Sequence, residues 1–500
     1  MVKNCILLLI LNTIHTNGRR NDLNKYSNSK ICALPGAQEL KSSLIAGEGA
    51  EIRKQLSLLF DENTFVETAA FTKRAFSDFV ATEGSNELAG VITGYGAING
   101  KLVFAFAEDV LRMGGVIDEA HAKKIYSLYN LAISNGAPVI GIFDSCGTDI
   151  FAGTGGLSAY GKILSCVNKA RGVIPQIAYV TGKCIGTAAT IAATFDVVVK
   201  EENASLYVTS PAHTGATDAQ DSIIAFSSDE IGCAGYIRNL VDFLPDNSTR
   251  EIYVSDTSDS LNRLLGDLDF GGEALTAISA VVDNGVYHEL GHNNVPSVST
   301  VLASIGGVKC GIVATSYICN EGKITKDAAK KISRFVNFLN RFSLPVVTLV
   351  DSLGLAIDKE NEMSFADELA RLASAYASAD VPKVTVITGH AIGASFVLLG
   401  SKALGADLVY TLDNSEIGAL SASSGVAFAW DKLITEEHSR EEYIAEWKAT
   451  VSSPANACAS GEIDDIISTN ELRARICSAL LMLSSKGICN TISQRRVLPL

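Results

Sequence analysis

The chain has 500 residues, too many for one compact hydrophobic core, so we expect two domains. A formal net charge of −14 excludes an extended nucleic-acid-binding surface, because no basic stripe is available to neutralise phosphates. The 11 cysteines are scattered without a C-x-x-C pair, which predicts reduced thiols in a cytoplasmic protein and no metal site.

Residues 1–35 form an N-terminal extension that we expect to be disordered or mis-assigned. Its apolar run, "CILLLILNTI" at residues 5–14, resembles the hydrophobic part of a signal peptide but lacks an A-x-A cleavage motif. The run is also too short to span a bilayer. We therefore expect the folded domains to begin after this segment.

The rest of the chain repeats itself at a nearly constant spacing. The tetrapeptide AKKI occurs at 122–125 and again 207 residues later, at 329–332. Upstream, "FDENTFVE" at 60–67 matches "VDNGVYHE" at 282–289 with a spacing of 222 residues, so a length change lies between. Such a repeat predicts two copies of one domain, over residues 36–245 and 246–500. The 207-residue spacing also relates Asp144 to Asp351, Gly182 to Gly389 and Gly186 to Gly393.

Both copies predict the same order of elements. A short helix and a D-x-x-x-F/Y-x-E turn precede a strand, "KLVFAFA" or "KCGIVAT", and then an amphipathic helix. A buried strand follows, "PVIGIFD" or "PVVTLVD", and ends in a D-S-x-G turn. A second helix leads to a third strand, "IPQIAYVT" or "VPKVTVIT". This alternation predicts an α/β fold with a largely parallel, buried sheet.

A turn of small residues follows the third strand in each copy: "TGKCIGTAAT" at 181–190 and "TGHAIGASFV" at 388–397. Where a strand runs into a helix, unpaired N–H groups and the positive end of the helix dipole face outward. Without bulky side chains, these donors can reach a ligand oxygen and form an oxyanion hole. The alternative is that the glycines only permit close packing of helix on sheet, and the pattern leaves both interpretations open.

Four stretches carry a resemblance to a known family: "GVITGYGAINGKLVFAFAED", "GGVIDEAHAKKIYSLYNLAISNGAPVIGIFDSCG", "IPQIAYVTGKCIG" and "VPKVTVITGHAIGASFVLLGSKALGADLVYT". They resemble the carboxyltransferase subunits of biotin-dependent acyl-CoA carboxylases and decarboxylases. The resemblance extends over about residues 50–500. It implies two tandem crotonase-type (ClpP-like) spiral domains in each chain. It also implies a homo-hexamer with active sites between the N-terminal domain of one subunit and the C-terminal domain of another.

The resemblance also implies roles for individual residues. The N–H groups of Gly186 and Thr187 would hold the enolate oxygen of the acyl-CoA, and those of Gly393 and Ala394 the ureido oxygen of biotin. Substrate-binding residues carried over in the same way are Ser145, Cys146 and Gly147 of the first D-S-x-G loop and Val397 after the second turn.

The function implied is the transfer of CO2 between carboxybiotin and the α-carbon of an acyl-CoA. Biotin would be carried by a separate biotin carboxyl carrier protein, because no M-K-M biotinylation site occurs here. Further partners would be a biotin carboxylase or the membrane subunits of a sodium-pump decarboxylase. The direction of transfer stays open. So do two alternatives: another crotonase-type acyl-CoA enzyme, and a non-catalytic structural subunit of such a complex.

Other polar features are open to roles that need no ligand. Asp144 and Asp351 follow buried strands, where an aspartate commonly ties its own loop. The pairs Lys123–Lys124 and Lys330–Lys331 suggest solvated helix faces. His390, inside the second turn, suits a ligand contact or the surface equally well.

Overall fold

The computed structural model describes residues 49–73, 88–148, 153–215, 223–248, 252, 254–266, 268–291, 295–435 and 437–486. The N-terminal extension expected over residues 1–35 lies outside these residues. Within the described ranges, no helix is long and apolar enough to cross a membrane.

The first copy contains eight strands that form one sheet, with helices between them. Its strands are β1 (Val66–Thr68), β2 (Val91–Ile98), β3 (Lys101–Glu108), β4 (Val139–Ser145), β5 (Gln176–Ile185), β6 (Val197–Glu201), β7 (Ser205–Tyr207) and β8 (Ile224–Ser228). Its helices are α1 (Ala50–Leu59), α2 (Glu119–Asn135), α3 (Thr154–Ala170), α4 (Thr187–Thr194), the short α5 (Pro211–Thr214) and α6 (Glu230–Phe243).

The second copy repeats this order with its own sheet of eight strands. Its strands are β9 (Tyr287–Glu289), β10 (Val298–Ile305), β11 (Val308–Thr315), β12 (Val346–Ser352), β13 (Lys383–Ile392), β14 (Leu408–Leu412), β15 (Glu416–Gly418) and β16 (Asp465–Ile467). Its helices are α7 (Ala274–Val281), α8 (Lys326–Arg341), α9 (Lys359–Glu362), α10 (Phe365–Ser378), α11 (Ala394–Leu398), α12 (Ala422–Gly425), α13 (Arg440–Thr450), α14 (Pro454–Ala459) and α15 (Leu472–Leu483).

The two sheets have the same topology, strand for strand. The strand order is β1-β2-β3-β4-β5-β6-β8 in the first sheet and β9-β10-β11-β12-β13-β14-β16 in the second, with β7 and β15 added beside β5 and β13. The first three strands of each sheet are antiparallel and the later pairs are parallel. The duplication predicted from the sequence is therefore confirmed.

The pairing register also accounts for the two spacings in the sequence. Val66 pairs with Tyr95 in the first sheet, and His288 pairs with Leu302 in the second. The central strands keep the 207-residue spacing, whereas the first short strand and the turn before it are displaced by 222. The length difference between the copies therefore lies between the first short strand and the central strands.

An aspartate explains the D-x-x-x-F/Y-x-E motif in each copy. Asp61 accepts the N–H groups of Asn99 and Gly100 at 3.1 and 2.9 Å, and so holds the β2–β3 hairpin turn. Asp283 accepts those of Gly306 and Gly307 at 2.8 and 2.9 Å in the β10–β11 turn. Each carboxylate also receives an arginine from the last helix of its own copy: Arg238 of α6 for Asp61, and Arg473 of α15 for Asp283.

The two copies stack front to back around a shared core. One face of the first sheet packs on α2, α3 and α4, and its other face, with α1 and α6, joins the helices α8 and α10 of the second copy. The far face of the second sheet is covered by α7 and α15. The α8 residue Arg341 reaches the buried Asp196 of the first copy at 3.4 Å across this contact. The faces of both sheets are thus covered, and the sparse turns lie at the carboxyl ends of the parallel strands.

The lysine pairs on α2 and α8 correct an expectation from the sequence. Lys123 is exposed, but Lys124 is buried and its Nζ donates to Val91 O at 2.5 Å. In the second copy, Lys331 Nζ donates to Val298 O at 2.7 Å. Burial lowers the pKa of both amines to about 8. One lysine of each pair therefore fastens a helix to the start of a hairpin and is not part of a solvated face.

Candidate functional site

The two sparse turns have the same backbone conformation. Gly186 follows β5 and caps α4 with φ 62° and ψ −125°, and Gly393 does the same between β13 and α11 with φ 58° and ψ −128°. An L-residue is strained at this φ, so glycine is required for conformational reasons. At Gly186 a Cβ would meet nothing within 4 Å, so crowding is not the cause.

The N–H groups at the turns are not equally available. Gly186 N–H donates to Tyr207 O at 3.0 Å, and Gly393 N–H donates to Gly418 O at 2.8 Å. These bonds attach the short strands β7 and β15, and they correct the expectation that both glycines offer free donors. Thr187 and Ala394 are the first helical residues, whose N–H groups have no intrahelical acceptor. Among the described residues, neither amide has another acceptor.

Two aspartates, the partly buried Asp144 and the buried Asp351, hold the turns in place. Asp144 Oδ1 accepts the Lys183 N–H at 2.9 Å, and Asp351 Oδ1 accepts the His390 N–H at 2.9 Å. A Cβ at Gly389 would lie 2.5 Å from the Asp351 carboxylate, and one at Gly182 would collide with Asp144 in the same way. The aspartates thus tie the neighbouring strand, not their own loops as expected, and the equal spacing of aspartate and glycine in the two copies reflects this contact.

Of the three predicted substrate-binding residues in the first D-S-x-G loop, only Cys146 presents an exposed side chain. Ser145 is fully buried, and its hydroxyl donates to Gly115 O at 2.7 Å and accepts from Gly147 N–H at 3.2 Å. Cys146 is exposed, with Sγ 3.9 Å from Lys183 Nζ. Ser145 therefore shapes the loop, whereas Cys146 faces the surface beside the first turn.

Val397 lies on the outer face of the short helix α11 and is 49% exposed. Because half of its side chain stays exposed, Val397 contributes little to the stability of the fold through burial. Nearby, Ser395 is fully buried, and its hydroxyl accepts the Ile392 N–H at 3.1 Å. The helix therefore has an anchored inner face and an apolar outer face next to the free amide.

Sequence reasoning missed a buried acid–histidine pair beneath the first turn. Glu108 Oε2 accepts the Asp144 N–H at 3.1 Å, and Glu108 Oε1 lies 4.0 Å from His121 Nε2. Both side chains are almost fully buried, so burial raises the pKa of Glu108 to about 8 and lowers that of His121 to about 3. Both groups are thereby kept neutral at pH 7. The available signal was a glutamate at an inward position of an otherwise apolar strand.

A second overlooked pattern is H-E-L-G-H at residues 288–292. A zinc site of this kind needs a helix, which places both histidines on one face. Here His288 belongs to strand β9, and residue 292 lies outside the described residues. His288 lines a polar surface hollow of about 290 Å³ together with Asp283 and Ser255. None of the lining residues belongs to either sparse turn, so this hollow is separate from the candidate site at the turns.

Each turn thus caps a helix and leaves one amide without an acceptor, an arrangement that can stabilise negative charge on a ligand oxygen. A carboxyl transferase domain matches residues 48–218 and 223–498 of this chain. The chain therefore belongs to the carboxyl transferase family, as the sequence motifs predicted.

The proteins similar to this chain include both a decarboxylase subunit and a carboxylase subunit. Methylmalonyl-CoA decarboxylase subunit alpha of Veillonella parvula is 34% identical over 461 residues, which span 87% of this chain and 90% of the relative. Propionyl-CoA carboxylase beta chain of Roseobacter denitrificans is 29% identical over 466 residues, 87% of this chain and 91% of the relative.

The fold also matches a solved structure. The crystal structure of the transcarboxylase 12S hexamer, with methylmalonyl-coenzyme A and methylmalonic acid bound, superposes with a TM-score of 0.82 and 29% identity. The match covers 88% of this chain and 91% of the other. The two tandem crotonase-type domains expected from the sequence are thus confirmed.

Proposed function

We propose that this chain is the carboxyltransferase subunit of a biotin-dependent enzyme and moves CO2 between carboxybiotin and the α-carbon of an acyl-CoA. The observation that carries the proposal is the pair of equivalent turns, each with one free N–H at the first residue of a helix. The reaction develops negative charge on two carbonyl oxygens, the thioester oxygen and the ureido oxygen. Two separate amide donors, one in each turn, match that demand in number and in chemistry.

The donors divide between the two substrates. The Thr187 N–H serves the acyl-CoA thioester, and the Ala394 N–H serves biotin, which arrives as a co-substrate on its carrier protein. Gly186 and Gly393 position these amides and keep their own N–H groups bonded to β7 and β15. Cys146, Gly147 and Val397 border the acyl-CoA, while Ser145 holds the loop in which the first two lie.

The two copies correspond to two functional domains. Residues 36–245 form the acyl-CoA side, and residues 246–500 form the biotin side. Matching elements support this division, because the first copy ends with α6 at Phe243 and the second starts with α7 at Ala274. We infer a homo-hexamer, as in transcarboxylase 12S, with each active site shared between two subunits.

The further partners follow from the direction of transfer. A carboxylase would pair this cytoplasmic subunit with a biotin carboxylase, and a decarboxylase would attach it to membrane subunits. Relatives of both kinds match over 87% of the chain, so the same turns serve either direction. Methylmalonyl-CoA and propionyl-CoA are accordingly the first substrates to assay.

The test removes single amide donors by proline substitution. Proline is tolerated at the first helical position and lacks the N–H. Gly186 and Gly393 already have the mirror image of the extended conformation that a residue before proline prefers, and glycine adopts either hand. We expect Thr187→Pro and Ala394→Pro each to lower kcat about 100- to 1,000-fold, the usual effect of losing one oxyanion donor.

A matched control comes from α6, which also begins with a capped first residue. Glu230→Pro makes the same change at a helix start outside the turns and should leave kcat within about twofold of the wild type. Calorimetry should show weaker acyl-CoA binding in Thr187→Pro only, and weaker biotin binding in Ala394→Pro only. An active Thr187→Pro and Ala394→Pro pair would refute the role of the amides. A wild-type protein without turnover on any acyl-CoA would instead favour the non-catalytic subunit.

A further inference from the structure

Three neighbouring strands of the second sheet bring a tyrosine, an aspartate and a histidine together at their carboxyl ends. Tyr317 follows β11, Asp351 lies near the end of β12, and His390 lies near the end of β13. Ligands of open parallel sheets bind at this edge. His390 itself belongs to the second turn, which also presents the Ala394 N–H.

The geometry fixes the orientation of the imidazole ring. His390 Nδ1 lies 2.7 Å from Asp351 Oδ1, and the ring stacks on Tyr317 with centroids 4.6 Å apart and an interplanar angle of 16°. A carboxylate at Nδ1 keeps the proton on that nitrogen and leaves Nε2 as the basic atom. The His390 side chain is 26% exposed, so the imidazole is partly accessible from outside.

The first copy shows that the fold does not require this pair. Asp144 makes the same bond to the turn backbone, through the Lys183 N–H at 2.9 Å. Lys183 occupies the position that His390 has in the second copy. Its side chain, however, lies beside Cys146 Sγ at 3.9 Å and not against the Asp144 carboxylate. The backbone bond is therefore structural in both copies, whereas the oriented imidazole belongs to the second turn alone.

We propose that His390 is the proton-transfer residue of the second turn and that Asp351 positions it. The inference rests on the proposed function and assigns to it a residue for which the family resemblance implied no role. In carboxylation, the acyl α-carbon loses a proton and gains CO2, while the ureido nitrogen loses CO2 and gains a proton. His390 Nε2 accepts the proton that leaves the carbon and delivers it to the nitrogen. In decarboxylation the same proton moves the opposite way, so the imidazole is regenerated in each turnover.

The titratable groups around the imidazole are few. Asp351 and Tyr317 contact it, and Glu416 is its neighbour in the β13–β15 pairing. Glu416 is already bonded to the Ala422 N–H at 2.6 Å and to Lys448 at 3.4 Å. Glu321 and Lys323 form an ion pair next to Tyr317. None of these partners replaces Asp351 at Nδ1.

The kinetic test uses three variants and one control. We expect His390→Gln to lower kcat at least about 100-fold with an unchanged acyl-CoA KM, as for loss of general acid–base catalysis. Free imidazole should partly restore His390→Ala. Asp351→Asn should alter the pH profile of kcat, whereas Asp144→Asn, which makes the same change at the matching aspartate of the first copy, should not change its shape.

A chemical readout tests the same placement without turnover. Diethyl pyrocarbonate modifies unprotonated imidazole, and peptide mass spectrometry should find His390 modified in the free protein and protected by the biotinylated carrier. His438, whose side chain is 66% exposed, should react equally in both states and serves as the internal control.

The outcomes separate the two proposals. A wild type that transfers CO2, together with a His390→Gln variant within about twofold of its kcat, would overturn the role of His390 and leave the proposed function intact. Absence of carrier protection at His390 would also overturn it. A wild type that transfers no CO2 would refute the proposed function, and the role of His390 with it.

Discussion

Glu108 and Asp144 are joined by a hydrogen bond that supports the first turn, because Glu108 Oε2 accepts the Asp144 N–H at 3.1 Å. The second copy meets the same need with a smaller group: Thr315 Oγ1 accepts the Asp351 N–H at 2.7 Å. At the position shared by Glu108 and Thr315, only the first copy therefore has a buried carboxyl group. That difference makes the stability of the protein depend on pH.

Replacing Glu108 by glutamine should flatten this dependence. Burial raises the pKa of Glu108 from 4.5 to about 8, so between these values the folded chain keeps a proton that the unfolded chain releases. Stability therefore falls as the pH rises through this window. Glu108→Gln keeps an oxygen acceptor for Asp144 and has no charge to lose. Thermal unfolding at about pH 5 and about pH 8 should show a smaller difference in Tm for the variant.

The neighbouring histidine supplies an internal control for that measurement. His121 has its pKa lowered from 6.5 to about 3 by burial, so the unfolded chain takes up a proton that the folded chain does not. Stability is lost as the pH falls from 6.5 towards 3. Glu108→Gln should retain this acid limb. If the difference in Tm between the two pH values is the same in Glu108→Gln and in the wild type, Glu108 is ionised in the folded protein.

The two arginine–aspartate pairs, Arg238–Asp61 and Arg473–Asp283, should differ in their contribution to stability. Arg473 is fully buried against Asp283, whereas the Arg238 and Asp61 side chains are each 28% exposed. Breaking a buried pair leaves an uncompensated charge, so we expect Arg473→Met to lower the free energy of unfolding by about 3–5 kcal/mol. Arg238→Met should cost about 1 kcal/mol. Urea unfolding measures both, and equal losses would contradict the assignment.

Alanine at Gly389 should disturb the second turn without altering the core. Its Cβ would lie 2.5 Å from the Asp351 carboxylate, which holds the His390 N–H. We expect Gly389→Ala to lower kcat strongly. At Gly161, inside α3, an added Cβ would meet nothing within 4 Å, so Gly161→Ala should stabilise the helix by about 1 kcal/mol. Steady-state kinetics and urea unfolding of both variants make the comparison.

Val397 offers a test of acyl-group recognition. Because its side chain is 49% exposed, Val397→Ser should change the free energy of unfolding by no more than about 0.5 kcal/mol. If the valine borders the substrate, its replacement changes the ratio of kcat/KM for propionyl-CoA to that for acetyl-CoA. Ile231, 75% exposed on α6, is the matched control, and Ile231→Ser should leave this ratio unchanged. Equal ratios in both variants would remove Val397 from the site.

Local patterns in the sequence were sufficient to predict the duplicated α/β fold. Each repeated aspartate and glycine marks a contact that the backbone requires, as the Asp351–Gly389 approach shows. Each such contact joins two neighbouring strands of one copy, and duplication preserved both partners at a constant spacing. The position of the two candidate turns could therefore be predicted from residue order alone.

Long-range pairing decided the rest. The N–H groups of Gly186 and Gly393 are taken by Tyr207 and Gly418, whose strands return to the turns after an intervening helix and strand. The burial of Lys124 and the contact of His390 with Asp351 likewise arise between elements far apart in sequence. The sequence by itself determined the two-copy architecture and where the turns lie. Only the tertiary structure decided which amides stay free and which imidazole is oriented, because hydrogen bonds are allotted by proximity in space.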